Sequence, residues 1–284
     1  MTGNEKLGRL IRKGKVKDVY EADLDRLLFH FTDRVSAFDV VLPSTIPRKG
    51  EALCKFAGYW FETLKTPNHM IRVVDKDKML VKKVEIIPIE CVVRGYLYGS
   101  FYERVMRKEV PFTGQPVLAS KLPEPIFDPT TKYEAKDRPV TREEIISKRW
   151  LTEKELRDLE KRSIDLYKQM SKQVAKAGFI MADVKFEFGR DKDGTVLLAD
   201  SVGPDEFRLW SKDQYKVGES QEAFDKQVVR DWLIQVGYKK QLDEARRRGE
   251  KKDPEPPKLP KELVSKVFER YMYAYEKITG RKFD

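Results

Sequence analysis

The stretch MADVKFEFG, residues 181–189, alternates charged and apolar side chains with a strict period of two. That is the period of a β-strand, so Asp183, Lys185 and Glu187 share one face while Ala182, Val184, Phe186 and Phe188 share the other. Val and Phe suit a half-buried strand, whereas a merely solvated face seldom needs acid, base and acid in alternation. Downstream, KDG precedes TVLLADSV, residues 195–202, and a Gly-containing turn between two strand-like runs predicts an antiparallel hairpin. With Phe188 opposite Thr195, Val196 faces Glu187 and Asp200 faces Asp183, so four polar side chains share a face. A slip of one residue would send Asp200 to the other side. Converging carboxylates beside a lysine suit a cation such as Mg²⁺, which favours carboxylate and phosphate oxygens. A surface ladder of salt bridges, worth about 0 to 1 kcal/mol per exposed pair, fits the same pattern.

Three other stretches carry candidate anion-binding groups. GKVKDVYE, residues 14–21, places Lys15 and Lys17 on one side of a strand just after a glycine. Val16 follows Lys15, so this is not a Walker A loop, and a basic edge strand is the competing reading. IIPIECVVRGYLYGS, residues 86–100, holds Arg94 and Ser100 among glycines, suited to a phosphate or to a structural role. In DSVGPDEFRLW, residues 200–210, Asp205 and Arg208 follow Asp200 closely, as site residues or as a salt bridge at a helix end.

The chain has 284 residues, 40% hydrophobic, enough for one large domain or two lobes with a real core. Its only cysteines are Cys54 and Cys91 and its only histidines His30 and His69, which argues against a disulfide framework, zinc and His-based catalysis. No apolar run of membrane length and no secretory leader is evident, so a cytoplasmic location is expected. The net charge of +10 invites a nucleic-acid reading. Much of it lies in residues 239–261, a Lys- and Pro-rich segment without aromatics, expected to be a solvated surface excursion. No nucleic-acid-binding pattern accompanies it, and neither HRD nor DFG of a protein kinase occurs.

The fold class expected is α+β in two lobes: a small, mostly antiparallel β-lobe over 1–90 and a larger α/β lobe over 91–284. KDVYEA, RLLFHFT, MIRVVD and KMLVKKVEIIPI read as strands of the first, with a helix around ALCKFAGYWFETL. Thr141 with Glu144, and Thr152 with Glu155, fit capping boxes. An apolar stripe from Leu156 to Val174 then stops at Gly178. Two more helices are expected, one with Phe224, Trp232 and Leu233 and one with Val267, Phe268, Tyr271 and Tyr275.

These stretches occur in one order with FTDRVSAFDVVLPSTIPRKG (31–50), PIFDPTTK (125–132) and SKDQYKVG (211–218). From about Gly14 to Trp232 the chain resembles the SAICAR synthetase (phosphoribosylaminoimidazole-succinocarboxamide synthase) family. The resemblance implies ATP-driven condensation of carboxyaminoimidazole ribotide with L-aspartate in purine biosynthesis, in a nucleotide cleft between the lobes, with Mg²⁺. It further implies that Lys15 and Lys17 bind nucleotide phosphate, and that Glu187 and Asp200 hold the metal. Arg94, Ser100, Asp205 and Arg208 would bind the ribotide, and Asp183 and Lys185 would be catalytic. Asp33, Ser36 and Asp39 would lie near the substrates. The partners expected are small molecules rather than nucleic acid or membrane, with a homo-oligomer, in the simplest case a dimer. Tyr98 departs from the family pattern, which has a small residue before the Gly-Ser pair.

Overall fold

The computed structural model of the chain describes residues 8–134 and 137–284. The first sheet is formed by β1 (Leu10–Lys13), β2 (Lys17–Glu21), β3 (Arg26–Phe31), β6 (Met70–Asp75) and β7 (Lys78–Lys82), in the order β1-β2-β3-β7-β6. A separate hairpin, β4 (Arg34–Ala37) and β5 (Val40–Thr45), and helix α1 (Lys49–Thr63) lie between β3 and β6 in the chain. Helix α1 packs on β3, β6 and β7 and brings Phe56, Trp60 and Ala57, all fully buried, into the core.

The second sheet has seven strands. Its centre is β12 (Phe179–Arg190), paired with β9 (Ile89–Tyr96), β13 (Val196–Ala199), β14 (Phe207–Ser211) and β8 (Glu85–Ile86). On β9 lie β10 (Lys121–Phe127) and β11 (Thr130–Thr131). Between β9 and β10 runs α2 (Gly99–Met106), and between β11 and β12 run α3 (Arg142–Ser147) and α4 (Glu153–Lys176). Thr152 and Glu155 close the predicted capping box at the start of α4. Thr141 caps α3, but Glu144 turns instead to Arg138 and Lys148, so only half of that box forms. The stripe of Leu156, Leu159, Leu166, Tyr167, Met170 and Val174 is buried where α4 packs on β12 and β9. Each such side chain contributes roughly 1.5–3 kcal/mol relative to its exposed state. Gly178, at φ +84°, ends the run in the left-handed region that glycine favours.

The run KMLVKKVEIIPI is not one strand. It divides into β7 of the first sheet and β8 and β9 of the second, so the change of sheet falls at residues 83–84. The separation is bridged where Asn68 pairs with Leu198 and the N–H of His69 bonds the Leu198 carbonyl at 3.0 Å.

The chain ends in α5 (Gln227–Gln235), α6 (Tyr238–Arg247) and α7 (Lys261–Thr279). The first of these begins only at Gln227, after Phe224. The Lys- and Pro-rich segment is therefore not a solvated excursion throughout. Its first part is α6, with Tyr238, Leu242 and Ala245 buried, and its prolines begin only after that helix. It folds back onto the β4–β5 hairpin: Arg246 bonds the Phe38 carbonyl at 3.2 Å, and the Leu259 N–H bonds Ser44 Oγ at 2.8 Å. Phe38 and Asp39, at φ 53° and 68°, form the two-residue turn between Ala37 and Val40, a conformation that normally selects Asn-Gly. Arg246 and the Lys239 ammonium, 5.2 Å from the Phe38 ring, support this turn. Replacing 243–258 by a short Gly-Ser linker is thus expected to lower Tm by about 4–8 °C, from roughly 2 kcal/mol of lost contacts at 2–4 °C per kcal/mol. Thermal unfolding of the shortened chain checks this, and an unchanged Tm would mean that the segment is passive.

Candidate functional site

The polar face of β12 is buried, with Asp183 5% and Glu187 3% exposed, so it is not a surface ladder of salt bridges. The opposite face, Ala182, Val184, Phe186 and Phe188, is also buried. Both faces of a strand are covered only where it is central, and the charged face must then have partners at hand. Lys185 donates to Glu90 at 2.6 Å and to Glu187 at 3.3 Å. Lys132 pairs with the other oxygen of Glu187. Burial opposes the charge of Lys185, but Glu187 and Glu90 outweigh it and hold the ammonium well above its ordinary pKa.

Asp200 reaches this cluster by a route the hairpin register did not predict. The observed pairing sets Glu187 opposite Ala199 and Phe188 opposite Leu198, three residues away from the expected register. Continued alternation would place Asp200 opposite Phe186, on the apolar face. Instead β13 ends at Ala199 and Asp200 takes φ +60°, which redirects its carboxylate to Lys17 Nζ at 2.5 Å. Burial works against this carboxylate, but Lys17, Lys132 and Lys185 together hold it below the usual carboxylate range. Nearby Glu206 is the opposite case: burial, with Asp205 and Asp200, pushes it up to about 8.

Lys17 opens β2, while Lys15 lies in the bend before it rather than on the same strand face. The bend is fastened from behind. Arg34 donates to the carbonyls of Gly14 (3.0 Å) and Lys15 (3.3 Å), and Thr32 Oγ1 donates to that of Val16 at 2.8 Å. A Cβ on Gly14 would meet the Lys17 carbonyl at 2.4 Å, so the turn requires glycine. Lys15 pairs with Asp39 on the β4–β5 turn.

Three strands bring Arg94, Asp183 and Arg208 into one row, since Asp183 lies opposite Arg94 on β9 and opposite Arg208 on β14. Arg208 donates to Asp183 at 2.7 Å, and Arg94 approaches the same oxygen at 3.6 Å. Arg94 also bonds Asp128 at 2.5 Å and Ser100 Oγ at 3.3 Å. Tyr98, buried, packs edge-on against Trp210 at 5.0 Å and lies 5.9 Å from the Arg208 guanidinium, so it forms a wall beside these arginines.

Two predicted residues have partners within the fold. Asp33 accepts the N–H groups of Arg48 at 3.2 Å and Gly50 at 3.0 Å, and so caps α1. Asp205, its side chain 2% exposed, bonds Lys49 at 2.9 Å and Tyr271 at 3.3 Å and approaches Lys226 at 3.7 Å. It thereby organises the buried cations Lys49 and Lys226. Ser36 is buried with its Oγ 3.5 Å from Lys226. Sequence reasoning passed over Lys132, Glu90, Glu206, Lys49 and Lys226. Lys132 falls in a loop with no periodicity, although the stretch PIFDPTTK that ends on it was singled out.

A family model described as SAICAR synthetase matches residues 10–245. The chain is 52% identical over 273 residues to the phosphoribosylaminoimidazole-succinocarboxamide synthase of Nitrosopumilus maritimus, covering 95% of this chain and 98% of that protein. It superposes on SAICAR synthase from Saccharomyces cerevisiae complexed with SAICAR at a TM-score of 0.82 and 31% identity, over 100% of this chain and 99% of that one. A type-2 SAICAR synthetase in complex with ADP matches at 0.73 and 26% identity, over 96% and 99%. A likeness of this extent in both sequence and fold leaves one conclusion: the chain belongs to the SAICAR synthetase family.

Proposed function

We propose that the chain condenses carboxyaminoimidazole ribotide with L-aspartate at the expense of ATP, giving SAICAR, ADP and phosphate. The observation that carries this reading is the meeting of Lys17, Lys132, Lys185, Glu187 and Asp200 beside the row Arg94, Asp183 and Arg208. A carboxylate is a poor electrophile because it would have to expel oxide. One of its oxygens must first become a phosphate leaving group, and cations must neutralise the charge as the phosphoryl group moves.

In this reading Lys15 and Lys17 meet the nucleotide phosphates, each exchanging an aspartate partner for a phosphate oxygen. Lys185, kept charged by Glu90 and Glu187, stays beside the transferred group. Asp183 orients the amine of aspartate or accepts its proton, held in place by Arg208. Arg94, Arg208 and Ser100 take the ribotide phosphate, and Asp205 supports that pocket through Lys49 and Lys226.

Among the described residues no group of three or more His, Cys, Asp or Glu is placed to hold a metal. The donor set of Glu187 and Asp200 still fits Mg²⁺, which binds through one or two carboxylates completed by substrate phosphates and water. When bound there it would supply charge neutralisation at the phosphates. The proposal includes a cytoplasmic location and a homodimer; among the described residues no helix is long and apolar enough to cross a membrane.

The test is ADP release with ATP, Mg²⁺, L-aspartate and the ribotide, omitting each in turn. Turnover is expected only with all four. Phosphorylation of the ribotide without aspartate would point to a kinase.

A further inference from the structure

His69 is one of two histidines in the chain and has no place in the chemistry above. Its ring is 1% exposed and lies edge-on between Phe29, at 5.5 Å, and Phe61, at 5.4 Å, so packing leaves it little freedom to turn. Its Nε2 sits 3.2 Å from the backbone carbonyl oxygen of Asp200. A carbonyl only accepts, so the proton of this bond must be carried on Nε2.

The place where this bond falls is specific. The backbone zips Pro67 and His69 onto Leu198 through Leu198 N–H to the Pro67 carbonyl (2.9 Å) and His69 N–H to the Leu198 carbonyl (3.0 Å). The ladder ends there. One step further the chain leaves strand geometry at Asp200, whose φ of +60° is uncommon for a residue with a side chain. The His69 ring continues the zipper by one bond at that residue. Asp200 is therefore gripped at both ends from the first sheet, at its carbonyl by His69 and at its carboxylate by Lys17. Without the left-handed step, alternation from Ala199 would turn the carboxylate toward the Phe186 face and away from Glu187.

We infer that His69 is a positioning residue: its Nε2–H bond to the Asp200 carbonyl holds the left-handed backbone that turns the Asp200 carboxylate to Lys17 and the charged face of β12. The inference rests on the reading of Glu187 and Asp200 as the metal-binding acids. It couples that pair to the first sheet, because His69, like Lys17, belongs to the lobe that carries the phosphate-binding lysines.

Gln and Met provide the comparison, since they are close in shape and only Gln retains an N–H donor. His69→Met is expected to raise the Mg²⁺ concentration for half-maximal ADP release about tenfold or more, the usual range for loss of a group that orients a metal ligand. His69→Gln is expected to restore most of it, and ribotide affinity by calorimetry should be the same in both. Asp200→Asn separates the two layers. If it leaves the Mg²⁺ dependence unchanged, the assignment of the metal pair fails. If it shifts that dependence while His69→Met and His69→Gln both match the parent chain, or fall equally, the role of His69 is overturned. A measurement on the parent chain does not depend on how the variants fold: imidazole ¹⁵N shifts should show the Nε2–H tautomer of His69. An Nδ1–H tautomer, which has no proton to give the Asp200 carbonyl, would also overturn the inference.

Discussion

Glu187→Gln and Asp200→Asn are each expected to lower kcat by at least about 100-fold, the common cost of deleting one electrostatic stabiliser of a developing charge. Both substitutions keep size while removing one negative charge and turning one acceptor oxygen into an N–H donor. The fold should survive, because Asn still offers Lys17 an acceptor and Lys185 keeps Glu90 at 2.6 Å. The effect should be largest at low Mg²⁺. Steady-state ADP release across a Mg²⁺ series, with circular dichroism to verify folding, checks it. Normal turnover by both variants at low Mg²⁺ would reduce these acids to structural partners of Lys132, Lys185 and Lys17.

The second large effect separates the ribotide from the nucleotide. Arg208→Ala should weaken the ribotide by about 2 kcal/mol, roughly 30-fold in Kd, as expected for a charge-assisted bond in a closed site, while ATP affinity stays within about twofold. Gly99→Ala should act in the same direction without replacing the arginine. A Cβ there would lie 2.8 Å from Arg208 Nη2, at a residue whose φ is +58°. Arg208 has little room to yield, because Asp183 holds it at 2.7 Å and Gln227 at 3.3 Å. Arg94→Ala is a less clean test, since Arg94 also binds Asp128 and its loss disturbs the scaffold. Calorimetric titration of each variant with the ribotide and with ATP decides the matter, and equal losses for both ligands would place these arginines elsewhere.

Much of this was legible in the chain because it depends on local periodicity. The alternation of residues 181–189 defines a strand and both its faces, the Thr152 and Glu155 pair marks the start of α4, and Gly178 marks its end. The glycine before Lys15 and Lys17 likewise marks a turn that no larger residue fits. Period, caps and steric minima act over a few residues, so the order of residue types is enough to reveal them.

What sequence order could not supply are the relations set by pairing and by loops. The presence of Asp200 in the charged cluster was expected from a register three residues away from the real one, and it arises from a left-handed turn held by His69 and Lys17. Lys132 enters from an aperiodic loop, Asp33 caps a helix, and the segment after Tyr238 folds onto a hairpin some two hundred residues upstream. These are contacts between distant parts of the chain, chosen by which buried charges find partners once both sheets have formed. Residue types and spacing establish the chemistry available to this protein; the burial of the β12 face and the backbone step at Asp200 establish where that chemistry is assembled.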